Sequence, residues 1–391
     1  MGMAILIPAE EACAQLGVTR QTLYSYVSRG LLRALPGADH RTRLYRRAEV
    51  ERLARRPLRR RSGQAARGAL DFGPPLMESA LSLIENGRLY FRGVDAAQLA
   101  AGASLEDVAR LLWRGGHEPP AQDPFSAPAP AGHPLRRGAA KSFAAATPLQ
   151  RALALFSLAP ADADGNDPAG LLWEMAAVLL DREPSAAPLH QQCARAWKLD
   201  RSAEDLLRGA LVLCADHELN ASSFAARVVA STGASLREAL RGGLAAMSGP
   251  RHGQATSLIE AMWAETDAGS DAASVLSRHV QGGVYVAGFG HPLYRDGDPR
   301  AAWILSRLPA AACNQRLQAA AATQLGEVPN VDFALTALRR HLGLPPGSAF
   351  LIFCLGRSVG WIAHALEQRP RGLIRPRAVY VGEPPHEAGA A

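Results

Sequence analysis

A chain of 391 residues that is 48% hydrophobic has room for more than one domain and a sizeable core. Its apolar runs are short and broken by charge, which argues against a membrane span. Charge is uneven: residues 1–67 carry 14 Lys+Arg against 5 Asp+Glu in a chain of net charge +7, so the remainder is slightly acidic and only the first end calls for an anionic partner.

The five cysteines (Cys13, Cys193, Cys214, Cys313, Cys354) are odd in number and scattered, without C-x-x-C spacing. They predict neither a disulfide framework nor a metal site, and a cytoplasmic location is expected. No basic stretch followed by an apolar run and a cleavage site reads as a secretion leader.

Residues 8–16 predict a short helix with Pro8 in its first turn and Ala9, Ala12, Cys13 and Leu16 on one face. After the turn at Gly17-Val18, Thr19 is the expected N-cap of a second helix over 20–29, with Leu23 and Val27 inward and Gly30 ending it. Residues 31–36 and 42–46, around a tip at 37–39, predict a hairpin, and a further helix follows over 47–55. Helix, turn, helix, basic wing and helix is the order of a winged helix-turn-helix. The phrase GVTRQTLYSYVSRGLL followed by RLYRRAEVERLA resembles the MerR and excisionase-like DNA-binding heads. That resemblance implies that Arg20, Gln21, Tyr24 and Ser25 face the major groove and that Arg41, Arg43 and Arg46 touch phosphates. The competing reading is a three-helix module that binds protein or pads a dimer. We read residues 1–56 as this head and 57–75, with their run of arginines around Pro57, as a basic linker.

From Leu76 onward the chain is Ala- and Leu-rich with helical spacing, and strand-like alternation is confined to pieces such as 88–91, so the body at 76–391 is predicted to be mainly α. Residues 119–140, rich in Pro, Ala and Gly, read as a surface connection. Residues 162–167 lack the distant acidic ligand of a calcium loop and read as a turn.

Several phrases carry chemistry. Asp216-His217-Glu218 is expected on a helix, where such a triplet is commonly a satisfied polar edge. Gly249-Pro250 breaks a helix and leaves His252 near the start of the next, whose dipole would keep the imidazole neutral. Gly288 and Gly290 free the backbone ahead of His291, and Asp298-Pro299-Arg300 opens a helix. A loop imidazole beside a helix-borne guanidinium suits a substrate with a polar carbonyl and a carboxylate. Asn330 is an N-cap that puts Asp332 in a first turn. Arg357, amid apolar residues, is a buried charge in need of an anion.

Together the phrases GRLYFRGVDAAQLAAGASLEDVARLL, ADHELNAS, GPRHGQAT, GFGHPLYRDGDPR, PNVDF, GRSVGWIAH and RPR resemble, in order, those of the citrate synthase family. Phe91 stands where the family usually has Tyr, and Gln254 and Thr256 depart from the family phrase after His252-Gly253. The interval from His291 to Asp332 is shorter than usual, implying a trimmed small subdomain at roughly 253–345, which in the family clasps coenzyme A.

The resemblance implies a mainly α, multi-helix fold with a large and a small domain. It also implies a cytoplasmic acyltransferase of the tricarboxylic acid cycle that joins acetyl-CoA and oxaloacetate without a metal or redox cofactor. Asp332 would remove the methyl proton, His252 would donate to the thioester oxygen, and His291 would polarise the ketone of oxaloacetate. His217, Arg300, Arg357 and Arg375 would bind its carboxylates. The family's counterpart of Arg375 crosses from a partner subunit, so a homodimer is expected. The alternatives are a 2-methylcitrate synthase acting on propionyl-CoA, and a transcription regulator that senses metabolites through this domain.

Overall fold

The computed structural model describes residues 6–16, 18–28, 32, 34–36, 43–47, 49–50, 77–114, 122–136, 142–143, 145–158, 165–280, 286–294 and 296–376. In the head, helices Ala9–Leu16 and Arg20–Ser28 pack on an antiparallel sheet of β1 (Leu6–Pro8), β2 (Ala34–Pro36) and β3 (Arg43–Arg46) in the order β1-β3-β2. Ile7, Ala12, Leu23, Leu32, Tyr45 and Val50 form its own small core. The predicted hairpin is present, with β1 added alongside β3. Pro8 therefore closes a strand instead of opening the helix: Leu6 pairs with Arg46 and Pro8 with Leu44. Three residues are too few for alternation to show in sequence. Residues 47 and 49–50 are helical, and the rest of the helix expected to run to 55 lies outside the described residues, as do Arg41 and the linker 57–75.

The body opens with a second antiparallel sheet, β4 (Ser82–Glu85), β5 (Arg88–Phe91) and β6 (Val94–Asp95). Asn86-Gly87 turns the β4–β5 hairpin with both φ values positive, 51° and 75°, as a two-residue turn requires. Leu89 and Phe91 alternate inward and are buried. Helices follow at Ala96–Gly102, Leu105–Leu112, Pro148–Phe156, Pro168–Leu180, Leu189–Trp197, Arg201–Leu213, Ala221–Ser231, Leu236–Ala246, Ala255–Asp267, Ala272–Arg278, Pro299–Leu305, Gln315–Leu325, Val331–His341 and Ser348–Gln368.

The last of these helices is the axis of the body. It is mostly apolar and buried nearly all round, as a helix surrounded by others should be, and Leu105–Leu112, Pro168–Leu180, Arg201–Leu213, Ala221–Ser231, Leu236–Ala246 and Val331–His341 all pack against it. It is long and apolar enough to cross a membrane, but 94% of that window is buried inside the protein, so it is a core helix. Two glycines one turn apart let it approach the end of Arg201–Leu213. A Cβ on Gly356 would meet Leu211 O at 2.7 Å, and one on Gly360 would meet Ala215 O at 2.4 Å and Asp216 Oδ1 at 2.7 Å.

The surface connection expected over 119–140 is anchored more deeply than its composition predicts. Arg136 donates to Leu155 O and Leu158 O and pairs with buried Glu174, which also holds Arg237. Asp167, at the end of the predicted turn, caps Pro168–Leu180; residues 159–164 lie outside the described residues.

Candidate active site

Two of the chemical phrases, the loop that carries His291 and the segment that precedes Asp332, are tied together by hydrogen bonds. Gly290 N–H donates to Val328 O (2.9 Å), Asn330 N–H to Gly288 O (2.9 Å), and Asn330 Nδ2 to Gly290 O (3.1 Å). Gly288 and Gly290 have φ of 90° and 73°, a region L side chains avoid. The loop carrying His291 is thus laced to the start of Val331–His341, where Asn330 caps the helix and Asp332 sits in the first turn, as predicted. Asp298 completes the lacing. It caps Pro299–Leu305, grips Arg300 through two hydrogen bonds (2.9 and 2.8 Å), and accepts from Val331 N–H (3.0 Å). Burial pushes the Asp298 carboxyl up, but Arg300 holds it below its ordinary value; burial likewise opposes the Arg300 charge while Asp298 raises its pKa.

His217 lies in the turn between Arg201–Leu213 and Ala221–Ser231, not on a helix as predicted: the first helix is capped at Cys214, Glu218 has a left-handed φ of 51°, and Asn220 starts the next helix as its N-cap. Its ring stands edge-on to His291, centroids 4.8 Å apart, and its Nε2 is 2.9 Å from Tyr294 Oη. His291 Nδ1 accepts from Leu293 N–H (3.2 Å), which puts the proton of the neutral ring on Nε2. His252 Nε2 is 2.8 Å from Ser222 Oγ, which is in turn 2.7 Å from Asn220 Oδ1. Ser222 Oγ donates to Asn220 Oδ1, which can only accept, and His252 Nε2–H then donates to Ser222; turned instead to His252 Nε2, the serine leaves the ring proton on Nδ1, where it can be given to a substrate.

All three imidazoles are held neutral. Burial takes His252 down to about 4, with Arg357 adding to it, and takes His291 to about 4, with Arg300 adding. His217 falls well below its ordinary value through burial, then through Arg300 and Arg357. His252 precedes its helix by three residues, so burial does what its position at the helix start was expected to do.

Arg357 links the parts. It is 1% exposed, its Nε donates to Cys214 O (2.9 Å), its guanidinium lies 4.7 Å from the Phe353 ring centroid, and its Nη2 is buried without a described partner. Burial lowers its pKa. Phe353 also meets His252, ring centroids 5.9 Å apart. The Asp332 carboxyl is pushed up to about 6 by burial, against the pull of Arg300 and Arg357. A basic carboxylate and neutral imidazoles are therefore gathered around Arg300 and Arg357, whose Nη2 has no partner among the described residues.

Arg300 is engaged by its own Asp298 and not free-standing, whereas Arg375 is exposed and is not brought to the site of its own chain. Residues to which the sequence assigned no part in the chemistry complete the site: Ser222, Tyr294, Asp298, expected only to open its helix, and a buried chain in which Ser82 donates to Asp216, His364 Nε2 pairs with Asp216 (3.1 Å), and Arg227 joins His364 Nδ1 (3.0 Å) to Glu367. Each of Ser222, Tyr294, Asp216 and His364 stands inside a phrase already singled out. Their signal was a polar residue beside a candidate. Among the described residues no group of three or more His, Cys, Asp or Glu could hold a metal ion.

In the head, Gln21, Tyr24 and Arg43 are exposed, Arg46 is partly buried, and Arg20 pairs with Glu10 at the surface.

Residues 72–377 match the family model for the citrate synthase C-terminal domain, and residues 9–57 match a helix-turn-helix domain. A citrate synthase of Haloferax volcanii is 32% identical over 372 residues, 82% of this chain and 97% of that protein. A putative citrate synthase 2 of Mycobacterium tuberculosis is 39% identical over 187 residues, 44% of this chain; the match spans only half (50%) of that relative's length. A 2-methylcitrate synthase of Shewanella oneidensis is 35% identical over 188 residues, 45% of this chain and 50% of that protein. The fold is also that of a citrate synthase from Thermoplasma acidophilum solved as a ternary complex with carboxymethyl coenzyme A and oxaloacetate, with TM-score 0.64 at 22% identity over 81% of this chain and 96% of that one.

Proposed function

The chain belongs to the citrate synthase family, and from that premise we propose that it condenses acetyl-CoA with oxaloacetate to give citrate and free coenzyme A. The observation that carries this reading is the pairing of Asp332, raised to about 6, with imidazoles at His252 and His291 lowered to about 4. A carboxylate needs that shift to act as a base near neutral pH, and an imidazole must be neutral to donate without repelling the arginines.

Asp332 takes a methyl proton from the thioester while His252 donates to the thioester oxygen, where negative charge develops. The enolate carbon attacks the ketone of oxaloacetate as the Nε2 proton of His291 moves onto the ketone oxygen, and the proton taken up by Asp332 is returned to His291 by the end of the cycle. Water then cleaves the thioester, releasing citrate and coenzyme A. Arg357, through the Nη2 that has no partner among the described residues, Arg300 and His217 hold the carboxylates; Arg375 serves the partner's site in a homodimer. The domain division follows the same reading: a head at 1–56, a basic linker at 57–75 and a body at 76–391, whose 253–345 part closes over coenzyme A and excludes water. The helix-turn-helix head binds DNA in the same reading, and the protein works in the cytoplasm.

The experiment is release of thiol from acetyl-CoA with and without oxaloacetate. Oxaloacetate-dependent release supports the proposal; its absence, with DNA binding altered by oxaloacetate, would make the protein a sensor. Propionyl-CoA belongs in the same assay, because a 2-methylcitrate synthase is among the relatives. A kcat/KM for propionyl-CoA exceeding that for acetyl-CoA would move the assignment to that activity.

A further inference from the structure

Tyr294 touches three of the residues on which the proposed chemistry depends. It is 3% exposed. Its hydroxyl lies 2.9 Å from His217 Nε2, its ring centroid 5.0 Å from that of His291, and the Arg300 guanidinium sits 5.9 Å over its ring. The local chain explains how it gets there. Tyr294 N–H donates to His291 O (3.1 Å) while Leu293 N–H donates to His291 Nδ1, so the loop folds Tyr294 back over the histidine it follows.

A buried phenol needs a hydrogen-bond partner, and this one has His217. Burial raises the pKa of the phenol, so it stays an O–H across the working range with one proton to give. A neutral imidazole has one proton as well. Arg300 and Arg357 oppose any second proton on His217. The ring can therefore present a donor to an anion only if its single proton is on the right nitrogen and the ring does not turn over.

We propose that Tyr294 is a positioning residue for dicarboxylate binding, its hydroxyl holding His217 in one tautomer and one orientation while its ring spaces His291 from Arg300. The proposal rests on the reading that the site takes oxaloacetate. Without the hydroxyl, His217 shares its proton between two nitrogens, and the fraction of molecules ready to bind substrate falls.

Tyr294→Phe removes the hydroxyl and keeps the ring against His291 and Arg300. In protein labelled with ¹³C-histidine, with His217 assigned through His217→Gln, the full-length wild type should show a single His217 tautomer and Tyr294→Phe a mixture. KM for oxaloacetate should rise about tenfold, roughly one hydrogen bond's worth, with kcat and KM for acyl-CoA within about threefold. A His217 signal identical in the two proteins with unchanged KM would make Tyr294 a space-filling residue. So would two averaging tautomers in the wild type, a measurement that stands even if the variant does not fold. A wild type that neither binds nor turns over oxaloacetate, but whose His217 tautomer depends on Tyr294, would defeat the substrate reading and leave the positioning role in place.

Discussion

At the scale of single residues, the cleft concentrates groups whose protonation is displaced in opposite directions, and this has consequences for both rate and stability. Asp332 must be ionised to act as a base, so kcat/KM should climb with pH through about 6 and then level off. Asp332→Asn removes the base at nearly constant shape, and kcat should fall by about 10²–10⁴ with oxaloacetate binding retained. The same carboxyl is a burden on the fold. Its folded pKa is raised, so the stabilising contribution it makes at low pH is lost as pH rises through about 6. Asp332→Asn should therefore unfold later than wild type at pH 7, by about 1–2 kcal/mol after allowing for its partial exposure. Equal turnover in wild type and variant would make Asp332 an ordinary helix-start aspartate. The histidines act oppositely: His252 and His291 are depressed, so their contribution is complete above 6.5 and lost as pH falls towards about 4. Arg357 offers a third reading. Oxaloacetate should raise the melting temperature of the wild type by mass action and leave Arg357→Leu unshifted, since its Nη2 has no described protein partner. An equal shift in both proteins would remove Arg357 from the binding set.

At the scale of elements, the glycines of Ser348–Gln368 set how closely two helices meet, and that distance positions the chemistry. Gly360→Ala would put a methyl group within 2.4 Å of Ala215 O, next to Asp216 and His217. Overpacking of this kind costs about 1–3 kcal/mol. The variant should melt earlier and also lose oxaloacetate affinity, whereas a loss of stability alone would show that the turn at 214–220 moves independently of the helix. This also explains which elements could be read from the sequence. Asn330, Asp298 and the glycines before His291 act through local backbone chemistry, so their caps and turns were legible in order and position. Three-residue β1 carries no periodicity, and the helical look of Asp216-His217-Glu218 is overridden where Arg201–Leu213 ends at the Cys214 cap and Glu218 turns to a φ of 51°. The pairings of Asp216 with His364, 148 residues apart, and of Ser222 with His252, 30 apart, have no local signature. The members of the site were thus visible singly, whereas their partners became visible only once the helices were packed.

At the scale of the whole molecule, two apolar cores lie in separate parts of the chain. Ile7, Leu23 and Tyr45 belong to one, and the residues from Leu81 to Ala365 belong to the other. Among the described residues neither core draws on the other's, so removing residues 1–67 should leave the body folded and any condensing activity intact. The positive charge concentrated in that segment would go with it. If the head binds DNA through Arg41, Arg43 and Arg46, the affinity of the full chain should fall with salt at a log–log slope of about −0.9 for each phosphate neutralised. A homodimeric body carrying two heads would steepen that slope and favour an inverted repeat, because two-fold symmetry in the protein is matched by two-fold symmetry in the site. Electrophoretic retention of a DNA pool, selected at low salt and challenged at rising salt, measures both. Retention that survives the truncation would move DNA binding out of the head. Retention lost on truncation, with thiol release unchanged, would establish two activities on one chain. Whether oxaloacetate then alters DNA retention of the full chain decides if the two cores communicate. By linkage, any such effect must be matched by an equal effect of DNA on oxaloacetate affinity.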